Sequence, residues 1–108
     1  MSKELLETII KFRDARNWKQ FHTPANLAKS ISIESAELLE NFQWNDSEFD
    51  LHEVTEEIAD IYIYLLLLSN SLKIDLENAT KEKISKNEIK YPINLSKNSS
   101  KKYTKFSK

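Results

Sequence analysis

The sequence predicts an all-α fold, and three observations carry that prediction. The 108-residue chain has no glycine and only two prolines, so it lacks the residues that hairpin turns require. Lys, Leu, Glu, Ile and Ala dominate it, and the helix formers among them favour helices throughout. Apolar residues then recur at i, i+3 and i+4 over several long stretches. The length suits one domain with one core, and 40% apolar with 31% charged residues is ordinary for a globular protein. A four-helix bundle over residues 1–92 with a basic tail over 93–108 is expected.

The first helix is expected from Lys3 to about Arg16, with Leu5, Leu6, Ile9, Ile10 and Phe12 as its apolar stripe. Asn17 to His22 has no clear period and puts Trp18, Phe21 and His22 in a connection. Two readings stand there: aromatic plugs at the end of a bundle, or the wall of a pocket for a flat ring. Thr23-Pro24 is a helix start, since Thr can cap and Pro fits the first helical position. The second helix then runs to about Phe42 on a stripe of Leu27, Ile31, Leu38 and Phe42, with Asp46 or Ser47 as a cap for the third helix. That third helix covers roughly Asp50 to Leu72, acidic at first and apolar nearly all round over Ile58–Leu68. A helix apolar on most sides must be covered on most sides, which in so small a domain suggests a second subunit. Asp75 caps a fourth helix, about Leu76 to Lys90, ended by Tyr91-Pro92. Residues 93–108 are Ser/Lys-rich and without period, which on charge alone reads as a frayed tail.

Composition also excludes. A net charge of −1 gives no electrostatic case for a nucleic-acid polymer as partner. With no cysteine there are neither disulfides nor thiolate metal sites. The start, Met-Ser-Lys-Glu-Leu-Leu-Glu, is acidic and amphipathic, unlike a secretory signal. The longest apolar run, Ile61–Leu68, falls short of the roughly 20 residues a membrane span needs. A cytoplasmic location and no membrane partner are expected.

Two acidic pairs stand out: Glu34 with Glu37, and Glu57 with Asp60. The i, i+3 spacing puts each pair on one helical face, about 5–6 Å apart at Cβ. Both lean toward apolar positions: Glu34 has Ile31 and Leu38 as helical neighbours, and Asp60 is the only charge in Ile58–Leu68. Converging carboxylates against an apolar core lose hydration and repel, and a divalent cation is the simplest compensation. The spacing alone is weak evidence, because Glu4–Glu7, Glu37–Glu40 and Glu53–Glu56 share it and most such pairs are solvated faces. Two pairs on consecutive helices strengthen it. Oxygen-only ligands suit Mg²⁺ or Mn²⁺ rather than zinc. Neither His22 nor His52 lies three residues after a glutamate, which disfavours a di-iron site. Without glycine there is no Gly-rich phosphate loop.

Glu34-Ser-Ala-Glu37, separated by Leu38 to Glu56 from Glu57-Ile-Ala-Asp60, resembles the acidic signature of MazG-like nucleoside triphosphate pyrophosphohydrolases. Within that group the chain looks most like the dCTP pyrophosphatase branch. Arg16 to His22, Phe42-Gln43-Trp44, Glu56 to Leu65, Lys83, Asn87, Tyr91-Pro92 and Leu95 to Thr104 all fit it. The resemblance implies an all-α MazG-like bundle, a homodimer or dimer of dimers, and Mg²⁺-dependent hydrolysis of a nucleoside triphosphate to the monophosphate and pyrophosphate. Glu34, Glu37, Glu57 and Asp60 then match metal ligands, with Glu37 the family-based choice of general base. Trp18, His22, Trp44 and Tyr64 match positions around base and sugar. Lys83 and Asn87 match positions facing the phosphates, and the tail, with Lys102 and Tyr103, would be ordered near the site. Two departures accompany the match. Ile9 stands where the branch often has a histidine that helps hold the base. Ser96-Lys97-Asn98-Ser99 replaces the usual Ser-Arg-Gly-Ser, although Asn tolerates the positive φ of such a turn. A pyrimidine dNTP preference looser than a strict dCTPase is expected. Competing readings are a non-catalytic helical interaction protein and a phosphoribosyl-ATP pyrophosphatase on the same scaffold, the latter disfavoured by the two tryptophans.

Overall fold

The structure, a computed structural model, describes residues 3–102 and 104, and these contain helices and no strand. Five α-helices, α1 (Lys3–Ala15), α2 (Pro24–Glu40), α3 (Leu51–Ser71), α4 (Leu76–Lys90) and α5 (Ile93–Ser96), are joined by short connections, one holding a 3₁₀ turn at Lys19–Phe21. The chain forms two compact units, Met1–Ile74 and Asp75–Lys108.

The helix boundaries follow from capping. Thr23 accepts a hydrogen bond from the Asn26 amide at 3.1 Å, with Pro24 in the first turn. α3 is capped by Asp50, whose Oδ1 accepts from the amides of His52 (2.9 Å) and Glu53 (3.3 Å). Asp46 and Ser47 do not cap it. Asn45 Oδ1 instead accepts from the amides of Ser47 and Glu48, both at 2.9 Å, and turns the chain before the helix begins.

Two helices end in the same way without glycine. After α1, Asn17 takes φ 54°, its amide bonds the Asp14 carbonyl (3.0 Å), and the Trp18 amide bonds the Arg13 carbonyl (3.1 Å). After α3, Lys73 takes φ 58°, with the Lys73 amide on Asn70 (3.2 Å) and the Ile74 amide on Ser69 (2.8 Å). Both are Schellman closures, and the first fixes Trp18 against the last turn of α1.

In the first unit α3 packs against both α2 and α1. Ile9, Leu27, Val54, Leu66 and Leu67 are buried, with Leu27 only 1% exposed. Large apolar side chains remain outside this small core. Leu51, Ile58, Leu65 and Leu72 recur every seven residues along α3 and just past it, and all four are exposed.

In the second unit α4 is capped by Asp75, which accepts from the Asn78 amide at 3.1 Å. The tail carries a short helix, α5, which its aperiodic sequence does not announce. Asn98 takes φ 64°, the positive value its place in the tail turn calls for.

Candidate functional site

α2 and α3 bring three of the predicted carboxylates together. Glu34, Glu37 and Glu57 each offer an oxygen, and these oxygens all lie within 4.8 Å of one another. Glu37 is exposed, whereas Glu34 and Glu57 are half-buried. The Oε2 atoms of Glu34 and Glu57 are buried and have no hydrogen-bond partner among the described residues. Burial, close approach to Glu37 and Glu57, and the charges of Glu37 and Asp60 push the Glu34 carboxyl up to about 7. Glu57 is raised too, first by burial and then by the repulsion of Glu37 and Asp60, although its contact with Glu34 pulls the other way. Orphaned buried oxygens and raised carboxyls are what a cation-binding cluster shows without its cation. The donors are all oxygen, so a hard divalent ion fits them.

Asp60 lies one turn beyond Glu57 and outside that group of three. It is exposed, yet close enough to raise both Glu34 and Glu57. It also lines a neighbouring cavity of about 490 Å³ and so joins the acidic cluster to an apolar hollow.

α1 gives that cavity Leu5, Ile9, Phe12 and Arg13; the connection after it gives Trp18 and His22; α3 gives Ile63, Tyr64 and Leu67. Trp18 packs edge-on to Phe12 at 5.7 Å between centroids, and Arg16 lies over the Phe12 ring at 3.7 Å. His22 meets Tyr64 edge-on at 6.4 Å. Burial and the Arg13 charge lower the His22 pKa, which keeps the imidazole neutral at pH 7, and its Nδ1 is buried without a partner among the described residues. Burial, then the charges of Glu34 and Asp60, raise the Tyr64 hydroxyl, so it stays protonated.

Of the two readings of the Trp18 segment, Trp18 and His22 take the pocket wall, while Phe21 is 60% exposed and plugs nothing. Trp44, in the connection between α2 and α3, is 89% exposed and is not part of the cavity lining. On α4, Lys83 is exposed and Asn87 half-buried, its carbonyl accepting from the Tyr91 amide at 2.7 Å. Lys102 is exposed, and Tyr103 lies outside the described residues. Sequence reasoning missed Arg13. The signal was there: Arg13 falls on the stripe of Leu6 and Ile9, where a charge on a buried face calls for a reason.

The MazG-like family pattern matches residues 29–106, a stretch that holds both acidic pairs. The chain belongs to the MazG-like family. Among its relatives are dCTP pyrophosphatase 1 of Bos taurus, 37% identical, and of Homo sapiens, 36% identical, each over 103 residues and 87% of this chain. The chain spans 61% of the length of those curated relatives. It is also similar to a pyrophosphatase from Archaeoglobus fulgidus whose crystal structure is known, with 51% identity and a TM-score of 0.79 over 83% of this chain and 91% of that one. The all-α fold expected of a MazG-like chain is thus present. The family match begins on α2, so Arg13, Trp18 and His22 precede it.

Proposed function

We propose that this MazG-like protein is a divalent-metal-dependent nucleoside triphosphate pyrophosphohydrolase of nucleotide-pool house-cleaning. Its substrates are (d)NTPs, pyrimidine deoxynucleotides such as dCTP foremost, and its products the monophosphate and pyrophosphate. One observation carries the reading: beside the cluster of Glu34, Glu37 and Glu57, with its orphaned oxygens, lies a cavity walled by aromatic rings, and Asp60, whose charge raises Glu34 and Glu57, lines that cavity. The relatives named dCTP pyrophosphatase and the pyrophosphatase of like fold support it.

Glu34, Glu37, Glu57 and Asp60 would hold Mg²⁺ or Mn²⁺. When bound, such an ion neutralises phosphate charge and makes a bound water more acidic. Glu37, the exposed member of the three, is open to water and accepts its proton as general base. The water oxygen attacks the α-phosphorus, and the bond to the α–β bridging oxygen breaks. The electron pair leaves with that oxygen on pyrophosphate. Trp18 and Phe12 offer ring surface to the base, and neutral His22 offers one donor and one acceptor. The exposed ring of Trp44 reaches the base slot from a second copy of the chain. By resemblance alone, Lys83, Asn87, Lys102 and Tyr103 are the candidates for phosphate contacts. The exposed Leu51, Ile58, Leu65 and Leu72 stripe supports a homodimer or homotetramer. Among the described residues no helix is long and apolar enough to cross a membrane, and we place the protein in the cytoplasm.

A panel of canonical and modified nucleoside triphosphates, assayed for pyrophosphate and monophosphate with Mg²⁺, Mn²⁺ or EDTA, tests this. Pyrimidine dNTPs should release pyrophosphate with either metal and none with EDTA. Orthophosphate as the product, or turnover indifferent to EDTA, would count against it.

A further inference from the structure

Resting on the reading of the cavity as the base slot, we propose that Arg13 is a specificity-determining residue. Its terminal guanidinium edge donates two parallel hydrogen bonds to a base that carries two adjacent acceptors, as cytosine does at N3 and O2.

Arg13 is only 8% exposed, yet it lines an otherwise largely apolar cavity. Its α1 neighbours there, Leu5, Ile9 and Phe12, present no polar side-chain atom, and the Thr8 hydroxyl donates to the Glu4 carbonyl at 2.9 Å. Arginine has five N–H donors in a rigid plane and no acceptor. The Nε–H goes to Asp14 Oδ1 at 2.8 Å, which pins one edge of the plane. The two terminal nitrogens have no partner among the described residues. They are not among the buried atoms left without a partner, so they reach solvent and can meet a ligand in the cavity.

The placement favours a base over a phosphate. Tyr64 feels the charges of Glu34 and Asp60, and His22 stands beside Tyr64 at 6.4 Å. His22 in turn feels Arg13, whose carbonyl holds the Trp18 amide at 3.1 Å. Arg13 thus lines the cavity together with Phe12, Trp18, His22 and Tyr64, whereas none of Glu34, Glu37 and Glu57 lines it, and such a wall suits a ring better than a phosphate. A donor-only group discriminates among rings. Cytosine gives it two neighbouring acceptors, whereas uracil and thymine put an N3–H between their carbonyls and point a donor at it. Guanine carries a comparable pair at O6 and N7 on a larger ring.

The experiment measures Kd by calorimetry, with Ca²⁺ replacing Mg²⁺, and kcat/KM with Mg²⁺. Ligands are dCTP, dTTP, dGTP and 3-deaza-dCTP, which lacks the N3 acceptor. Arg13→Gln should weaken dCTP about 5- to 150-fold and dTTP less than about threefold, with kcat for dCTP nearly unchanged. 3-Deaza-dCTP should bind the wild type as poorly as dCTP binds the variant, and should not respond to the substitution. A loss confined to dGTP supports the acceptor-pair chemistry with a purine occupant. Should Arg13→Gln not fold, Arg13→Lys keeps the charge without the fork, and Asp14→Ala on the exposed neighbour removes the acceptor that pins Nε. Each should still erode the dCTP-to-dTTP ratio. Equal losses for all nucleotides, or 3-deaza-dCTP binding like dCTP, overturn the proposal. The base pattern without pyrophosphate release sinks the pyrophosphohydrolase reading alone. Turnover with a flat base pattern sinks the Arg13 proposal alone, and failure to bind any nucleotide sinks both.

Discussion

The acidic cluster and the apolar cavity meet at Asp60, which lines the cavity and whose charge raises Glu34 and Glu57. The cluster comes from two helices packed together, α2 and α3, and gathers like charge where water is partly excluded. The cavity draws on α1, the connection after it and α3, and sets one cation and one neutral histidine among aromatic and aliphatic walls. One region crowds carboxyls that repel one another; the other is a hollow lined mostly by apolar side chains. The contrast divides the labour of the proposed reaction. Substitutions in the cluster should change turnover and metal response, whereas those in the cavity should change nucleotide preference and KM.

The largest effect expected is at Glu37. Glu37→Gln keeps size and shape but removes the proton acceptor, so kcat should fall about 10²- to 10⁴-fold. KM should move far less, because the residue meets water rather than the base. Millimolar Mg²⁺ should raise the Tm of the wild type, since a ligand of the native state stabilises it, and Glu57→Gln should abolish that rise. Glu4→Gln, at an exposed position on α1, is the control and should leave both readouts intact. Equal Mg²⁺ responses in Glu57→Gln and Glu4→Gln would place the cation elsewhere.

The two regions were not equally legible. The acidic pairs could be read because helical spacing is local: i, i+3 fixes a face whatever the tertiary structure does. The caps at Thr23 and Asp75 were readable for the same reason. The cavity was not, because it depends on how α1 meets α3, contacts between residues some 50 positions apart. Trp18 and His22 were suspected as wall residues; Arg13 showed in the sequence only as a charge on the apolar stripe of α1, and its place in the lining came from its tertiary neighbours. Trp44 shows the converse limit: its sequence context points to the base slot, yet its ring is 89% exposed and lines no part of the cavity. The Asp50 cap was missed because Asp46 and Ser47 offered equally good capping chemistry slightly earlier.

An intermediate effect separates the two tryptophans. Trp18→Ala removes ring surface from the cavity wall, and base stacking of this kind is worth roughly 1–3 kcal/mol. KM should therefore rise about 5- to 150-fold. Trp44→Ala should raise KM less, and only in an assembled protein, on the proposal that its ring meets the slot from a second copy. Neither substitution should alter the Mg²⁺-dependent change in Tm. If Trp18→Ala left KM unchanged for every nucleotide, the cavity would not be the base slot.

The smallest effect, and the sharpest on the cluster, is the response of stability to pH. Glu34 is raised from 4.5 to about 7 in the folded protein, so the fold binds that proton more tightly than the unfolded chain does. The associated stabilisation is complete below the unfolded value and is lost as pH rises through about 7. The metal-free protein should accordingly melt at a lower temperature at pH 8 than at pH 5.5. A divalent cation competes with the same proton, so its own stabilisation should run the opposite way, large at pH 8 and small at pH 5.5. Glu34→Gln resembles the protonated carboxyl at every pH. Metal-free, it should match the wild type near pH 5 and exceed it in Tm by a few degrees at pH 8, while losing the cation response and the turnover. Scanning calorimetry across this range decides the matter. A Glu34→Gln protein less stable than the metal-free wild type at pH 8 would mean that Glu34 is held by a partner on the protein rather than kept waiting for a cation.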